Sequence, residues 1–292
     1  MIIYFAGAEG GDSKEIIETG LVKNGFFSYY YLRNNNVKNT YFRNHRDFFK
    51  SIIIDSGAHT FFSERAAEGL SVSNLKKKTK TKGTADEYWQ KYKVWLLDNK
   101  KYYDYYVELD IGEIVGQEKV NEWRQELKAL GIFNRCITVV HPNVVSFEDY
   151  LKMLDETESK YVALEGDRDN RPRLNYNKYL KPAIEKGVKI HCFAMTKDDV
   201  YGMFPFYSVD STSWKAGAQY GITKVKTNQG MKLVRFTDKG HLLSVNSNNI
   251  AHTLGDSKKI SRIERYTLSI QAYQDIESYY TRLWERRGVK YT

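Results

Sequence analysis

The chain has 292 residues, 41% of them hydrophobic and 14% aromatic, and a formal net charge of +9. That length is enough for one large core, and no apolar run approaches the length of a membrane span. The two cysteines, Cys136 and Cys192, fall in predicted strands, which excludes a disulfide framework and fits a reducing cytosol. The basic balance favours a polyanionic partner and says nothing about fold. Tyr, with 23 copies, can bury its ring while keeping its hydroxyl wet, so core and groove are both homes for it.

In chain order, Met1 to Ala6 reads as a first strand, too short and without the basic lead of a signal peptide. Gly7-Ala8-Glu9-Gly10-Gly11 follows as a strand-to-helix turn; a phosphate cradle is the alternative, but the spacing is not the dinucleotide fingerprint. A helix is expected over 13–23, a Tyr-rich strand from Phe26 to Leu32 and another from Ile52 to Asp55. Residues 64–86 break the pattern. Within them, Leu75 to Gly83 carries Lys76, Lys77, Lys78, Lys80 and Lys82 and no carboxylate, which predicts a mobile loop. A solvated charge run is the plain reading; its place just after the Asp55 turn favours contact to nucleic-acid phosphates.

Tyr88, Trp89, Tyr92, Trp95 and Leu96 then recur at helical spacing over 85–99, a stripe read as core. Further strands are expected from Tyr105 to Asp110, Cys136 to Val140, Tyr161 to Leu164, Val188 to Phe193 and Phe206 to Asp210. Helices separate them over 117–130, 147–155 and 176–186, the last closed by Gly187, with a short one before the final strand. This alternation predicts a parallel sheet closed as a TIM-like (β/α)8 barrel over about residues 1–215. Beyond it, a β-rich or irregular appendage is expected to Val245, a polar loop over 246–257 and a terminal helix over 261–287. The whole reads as one domain.

Barrel chemistry sits at the C-terminal strand ends, and Asp55, Asp110, His141, Glu165 and Asp210 all occupy such positions. The stretches Ile52-Ile53-Ile54-Asp55 and Tyr207-Ser208-Val209-Asp210 each deliver one carboxylate behind an apolar approach. Each aspartate alone also reads as a helix N-cap, His141 as a turn residue before Pro142, and Phe193 as barrel core.

Taken together the motifs resemble the tRNA-guanine transglycosylases, and more closely their short phage-type relatives, the 7-deazaguanine DNA transglycosylases. Asp55-Ser56-Gly57-Ala58 resembles the family's Asp-Ser-Gly-Gly turn; Glu108-Leu109-Asp110 resembles the segment whose Asp reads the guanine edge. Val140-His141 falls at a base-contacting Val-Gln, and Tyr161 to Gly166 resembles the strand end whose backbone contacts the base. Cys192-Phe193-Ala194-Met195-Thr196 resembles the segment that stacks on the base, and Val209-Asp210 the Phe-Asp that supplies the nucleophile. The similarity spans about residues 50–215.

The resemblance implies exchange of guanine for a 7-deazaguanine of the preQ0 or preQ1 type. Asp210 would be the nucleophile and Asp55 the general acid/base, with Ser56, Gly57, Asp110, His141, Glu165, Gly166 and Phe193 around the base. The residue types suit that chemistry. Breaking a glycosidic bond passes through an oxocarbenium-like state, which a carboxylate on the far face of the sugar can trap. A second carboxyl group must protonate the leaving base. Burial behind Ile52 to Ile54 raises Asp55 toward that role, Ser211, Thr212 and Ser213 are expected to hold Asp210 ionised, and the small run after Asp55 admits a planar base. Asp110 can accept two N–H bonds from a guanine edge, and Phe193 and Tyr106 are candidates to sandwich the ring.

The tRNA enzymes carry a zinc site of three Cys and one His after the nucleophile. No Cys lies beyond Cys192 here, so no cofactor is expected and the substrate tilts from tRNA towards DNA. The implied setting is the cytoplasm, that of a host if a phage encodes the chain. The rivals are a tRNA enzyme, a metal-dependent barrel hydrolase built on the same Asp, His and Glu, and a non-catalytic nucleic-acid-binding protein.

Overall fold

The structure is a computed structural model that describes residues 1–9, 13–34, 37–61, 79–142, 144–165, 175–195, 197–215, 222–227, 230–236, 242–244 and 261–291. Eight parallel strands close a barrel, β1 pairing with β8 to complete the ring. They are β1 (Ile2–Ala6), β2 (Asn24–Ser28), β3 (Ser51–Asp55), β4 (Tyr105–Val107), β5 (Cys136–Val140), β6 (Tyr161–Leu164), β7 (Lys189–Cys192) and β8 (Ser208–Ser211). Between them run α1 (Lys14–Glu18), α2 (Tyr29–Leu32), α3 (Val37–Asn44), α4 (Thr79–Asn99) and α5 (Gly112–Val115). α6 (Gln117–Ala129), α7 (Phe147–Glu156), α8 (Tyr176–Glu185) and α9 (Asp198–Met203) follow. This is the expected TIM-like (β/α)8 architecture.

Successive side chains along a strand point to opposite faces, and in this barrel both faces are covered. Ile3, Phe5, Ile52, Ile54, Val140, Val162 and Val209 pack outward in the layer beneath the helices. Tyr4, Phe26, Ile53, Val107, Ile137, Val139, Tyr161 and Ala163 fill the inside. Counting by twos from these inner residues reaches Asp55 on β3, His141 after β5 and Glu165 after β6, while Phe193 after β7 and Asp210 on β8 alternate with the outward Cys192 and Val209. Period two therefore aims five predicted residues into one mouth.

The same parity removes Tyr106 from the base-sandwiching role. It lies in the outer layer, fully buried, with its hydroxyl donating to the Ile132 carbonyl at 3.2 Å. Glu108 also turns outward, and β4 ends at Val107, short of the expected Asp110. Its carboxylate accepts both Arg124 nitrogens, Nε and Nη2, at 2.7 Å, and the Val139 amide at 2.6 Å. The aromatic stripe of α4 is core, as expected. Its Tyr88 and Tyr92 hydroxyls donate to the carbonyls of Ser56 and Val107, at 2.7 and 2.8 Å, pinning two strand ends beside the mouth.

Two local expectations change, and a third alternative resolves. The Tyr-rich strand over 26–32 is instead β2 followed by the one-turn helix α2, because Tyr29 and Leu32, three apart, both face the core. The helix expected from Ala85 begins at Thr79, so Lys80 and Lys82 belong to a helical backbone rather than a loop; lysine is a good helix former. Their side chains, and Lys76, Lys77 and Lys78, lie outside the described residues. The region 215–245 is β-rich: β9 (Ile222–Thr227), β10 (Gly230–Phe236) and β11 (Leu242–Ser244) form an antiparallel sheet.

The terminal helix α10 (Arg262–Arg286) starts at a capping box, in which Ser261 and Glu264 bond reciprocally. It closes over the barrel wall: Glu277 accepts the Ile3 amide at 2.7 Å and the Trp284 indole donates to the Tyr201 carbonyl at 2.8 Å. Both cysteines are buried, and neither forms a disulfide. Among the described residues no helix is long and apolar enough to cross a membrane.

Removing one member of a buried ion pair strands the other charge. Arg124→Leu is expected to destabilise the fold by about 3–5 kcal/mol, read from urea unfolding, while Glu108→Gln/Arg124→Leu together cost less. Equal losses for the single and double variants would contradict this account of Glu108.

Candidate active site

The inward-facing carboxyl groups of Asp55 and Asp210 stand on strands separated by β1 and β2, across the mouth from one another. Asp55 ends β3, where the next turn folds back on it: the Gly57 amide donates to Oδ2 at 2.9 Å. That turn requires glycine. Gly57 has φ of +71°, and a Cβ there would come within 2.5 Å of Tyr30 Cβ and 2.8 Å of the Tyr30 nitrogen. Gly57 thus lets this turn pack closely against Tyr30. Ser56 is buried, with its carbonyl taken by Tyr88.

Burial raises the Asp55 carboxyl to about 6, and the negative charges of Asp210 and Asp110 add to the shift against the Gly57 bond. Asp55 therefore feels both other acids across one opening. Glu9, after β1, is a fourth acid: buried, raised to about 7 chiefly by burial, opposed by Lys215 and Lys38, and further raised by Asp55. Its Oε2 has no hydrogen-bond partner among the described residues. Gly10 and Gly11, part of the alternative phosphate cradle, lie outside the described residues, as does Gly166.

Asp210 is held differently from expectation. The hydroxyl residues after it do not bond it; Ser211 Oγ instead accepts the Ser213 amide at 3.0 Å. Two groups, one on β7 and one just past its end, converge on Asp210 Oδ1: the Ala194 amide donates at 2.8 Å and His191 Nε2 stands 3.2 Å away. Ala194 has φ of +50°, a left-handed conformation unusual for a residue with a Cβ. That twist turns its N–H towards the carboxylate. Next to it, Trp214 donates to the Ala6 carbonyl at 2.9 Å and Lys215 to the Gly7 carbonyl at 2.6 Å, tying the end of β8 to the end of β1.

On the opposite wall, His141 Nε2 meets Asp110 Oδ1 at 2.5 Å and its Nδ1 stands 3.8 Å from Glu165 Oε2. Burial alone would lower this imidazole, but the Asp110 bond and the charges of Asp110, Glu165 and Glu113 outweigh it and raise it to about 9. At neutral pH His141 is thus a cation clamped between two acids. Phe193, half-buried at the rim, packs edge-on to His191 and Phe26, with centroids 5.0 and 6.3 Å apart. One wall is therefore aromatic and the other charged, a fit for a flat polar ring. Among the described residues no three His, Cys, Asp or Glu side chains converge as metal ligands would.

Reasoning from the sequence missed His191, Ser208, Glu9 and the strained Ala194. Strand parity could have found two of them, since His191 shares a face with Phe193 and Ser208 with Asp210. The positive φ of Ala194 has no sequence signal, because nothing but tertiary contact holds it.

The chain matched no protein-family model, no curated protein and no solved structure.

The charged wall has a measurable signature. The stability that His141 lends is complete below the free-histidine value of about 6.5 and is lost as pH rises through about 9. NMR titration of the His141 ring should give a midpoint near 9. Asp110→Asn should lower that midpoint by about 1–2 units, and an unchanged midpoint would remove Asp110 as its main partner.

Proposed function

We propose that the chain is a base-exchange glycosyltransferase that replaces guanine in DNA by a 7-deazaguanine through a covalent Asp210–sugar intermediate. One observation carries the reading: two inward-facing carboxyl groups meet at one mouth, with Asp55 pushed up to about 6 and Asp210 held, among the described residues, through Oδ1 alone. An acid poised near neutrality and a carboxylate with one open oxygen are what a double displacement at a sugar carbon needs.

In the first half-reaction a lone pair of Asp210 Oδ2 bonds to C1′. The pair of the C1′–N9 bond leaves with guanine, which takes the proton of Asp55. In the second half the incoming 7-deazaguanine loses its N9 proton to Asp55 and attacks C1′. The C1′–Oδ2 pair then returns to Asp210. No redox step or metal is required by this balance.

The other residues have roles consistent with it. Asp110 Oδ1 is taken by His141, which leaves Oδ2 to accept N–H groups from the guanine edge. Phe193 offers a face on which the base can stack. A base must leave its duplex stack to enter, at a cost of roughly a few kcal/mol, and phosphate contacts by a chain of net charge +9 help offset it. DNA is favoured over tRNA because the only two cysteines are buried in β5 and β7, so the zinc-ligand set of the tRNA enzymes has no counterpart.

Two measurements test the reading. Incubated with duplex DNA and a labelled 7-deazaguanine base, the protein should incorporate label, and Asp210→Ala should abolish it. Equal incorporation into tRNA would overturn the substrate, and salt-sensitive DNA binding without incorporation would leave a binding protein.

The first half-reaction needs Asp55 protonated, so kcat/KM for DNA should fall as pH rises through about 6. Asp55→Asn should slow exchange by about 10²–10⁴-fold and remove that limb. The same substitution should raise thermal stability at pH 7, a gain that shrinks as pH falls towards 4, because a raised acid destabilises the fold only where it is ionised. A pH-independent kcat/KM between 5 and 8 would take the proton away from Asp55.

A further inference from the structure

Beneath the mouth lies a buried chain of polar groups that the exchange chemistry described above does not use. Tyr161 on β6 and Ser208 on β8 share a short hydroxyl–hydroxyl bond, Ser208 Oγ stands 2.7 Å from His191 Nδ1, and His191 Nε2 reaches Asp210. His191 is 0% exposed, stacked on Phe26 at 5.5 Å and met edge-on by Tyr4, Tyr161 and Phe193. This aromatic sleeve leaves the ring only Ser208 and Asp210 as partners among the described residues.

Counting protons fixes the direction of the chain. It has three bonds. A ring with one proton gives three donors, one each from Tyr161, Ser208 and His191. A doubly protonated ring would bring a fourth and strand one hydroxyl proton in the interior, a costly defect. The polarity follows from its far end. Ser208 is the sole partner of the Tyr161 hydroxyl among the described residues, and burial holds that phenol far above its usual range, so it keeps its proton and donates. Ser208 then donates to Nδ1, and the ring proton sits on Nε2, facing Asp210.

We propose that His191 is the positioning residue of the nucleophile: set by Tyr161 and Ser208 as the Nε2–H tautomer, it joins the Ala194 amide in holding Asp210 Oδ1 and so leaves Oδ2 to attack the sugar. The consequence for rate rests on the base-exchange reading; the tautomer rests on the bonds alone.

The arrangement is not neutral between the two half-reactions. Donors to Oδ1 bind a carboxylate more strongly than an ester carbonyl. They therefore assist the second half, in which the C1′–Oδ2 pair returns to Asp210 and the negative charge reappears. Without His191, the covalent adduct should form and then persist. Simple misplacement of Asp210 would slow both halves and leave no excess of adduct.

The test uses the full chain with ¹⁵N-labelled histidine and, in parallel, duplex DNA with a labelled 7-deazaguanine base. At pH 7 the His191 ring should show a protonated Nε2 and a bare, hydrogen-bonded Nδ1, and Ser208→Ala should disturb that pattern. His191→Phe should lower kcat by about 10–100-fold and KM for DNA with it, leaving kcat/KM for DNA little changed, and raise the fraction of denaturant-stable enzyme–DNA adduct. His191→Gln, which can still donate to Oδ1, should recover much of the rate. If His191→Phe does not fold, Ser208→Ala supplies the kinetic comparison, with a smaller fall in kcat in the same direction. An Nδ1–H or doubly protonated ring overturns the proposal, as does wild-type turnover in His191→Phe or a loss without adduct. If wild-type protein yields neither exchange nor adduct, base exchange itself fails, and the ring spectrum still decides the tautomer.

Discussion

A closed parallel barrel buries both faces of every strand, and that constraint governs the rest of the molecule. A polar side chain aimed inward must stop at the rim or find a partner inside. Asp55, His141, Glu165 and Asp210 take the first course at the C-terminal ends of β3, β5, β6 and β8. Ser208 and His191, one layer deeper, take the second. Burial is therefore responsible both for where the polar groups sit and for how they are tuned.

The consequences differ among groups with the same chemistry. Asp55 is raised because it is buried facing two other acids while the Gly57 amide only partly compensates. Asp210 faces the same acids but has two donors on one oxygen. Glu108, only two residues from Asp110, turns the other way and is neutralised by Arg124, so it belongs to the scaffold. Three carboxylates within one fold thus have three physical situations, set by which way a strand residue points and what meets it there.

The mouth is supported from outside by the helical layer. Tyr88 and Tyr92 of α4 cap carbonyls at the ends of β3 and β4, and the stacked pair Trp89–Trp123 locks α4 to α6. Trp214 and Lys215 close the seam where the last strand meets the first. Rigid support of this kind is what allows a residue such as Ala194 to stay in a left-handed conformation, since its neighbours over-determine it.

The alternation of elements, the closed barrel they imply, and the strand-end places of Asp55, His141, Glu165 and Asp210 are legible in the amino-acid order, because apolar periodicity and strand parity are local properties; Asp110 instead lies three residues beyond the end of β4. It also carried the aromatic stripe of α4 as core. The folded chain alone sets that Tyr106 faces outward, that the Gly57 turn packs against Tyr30, and that His191 and the Ala194 amide, not the hydroxyls after Asp210, meet that carboxyl group. These outcomes depend on contacts between residues far apart in the chain, such as Tyr161 with Ser208 and Ala194 with Asp210, whose geometry exists only once β8 has closed against β1 and β7.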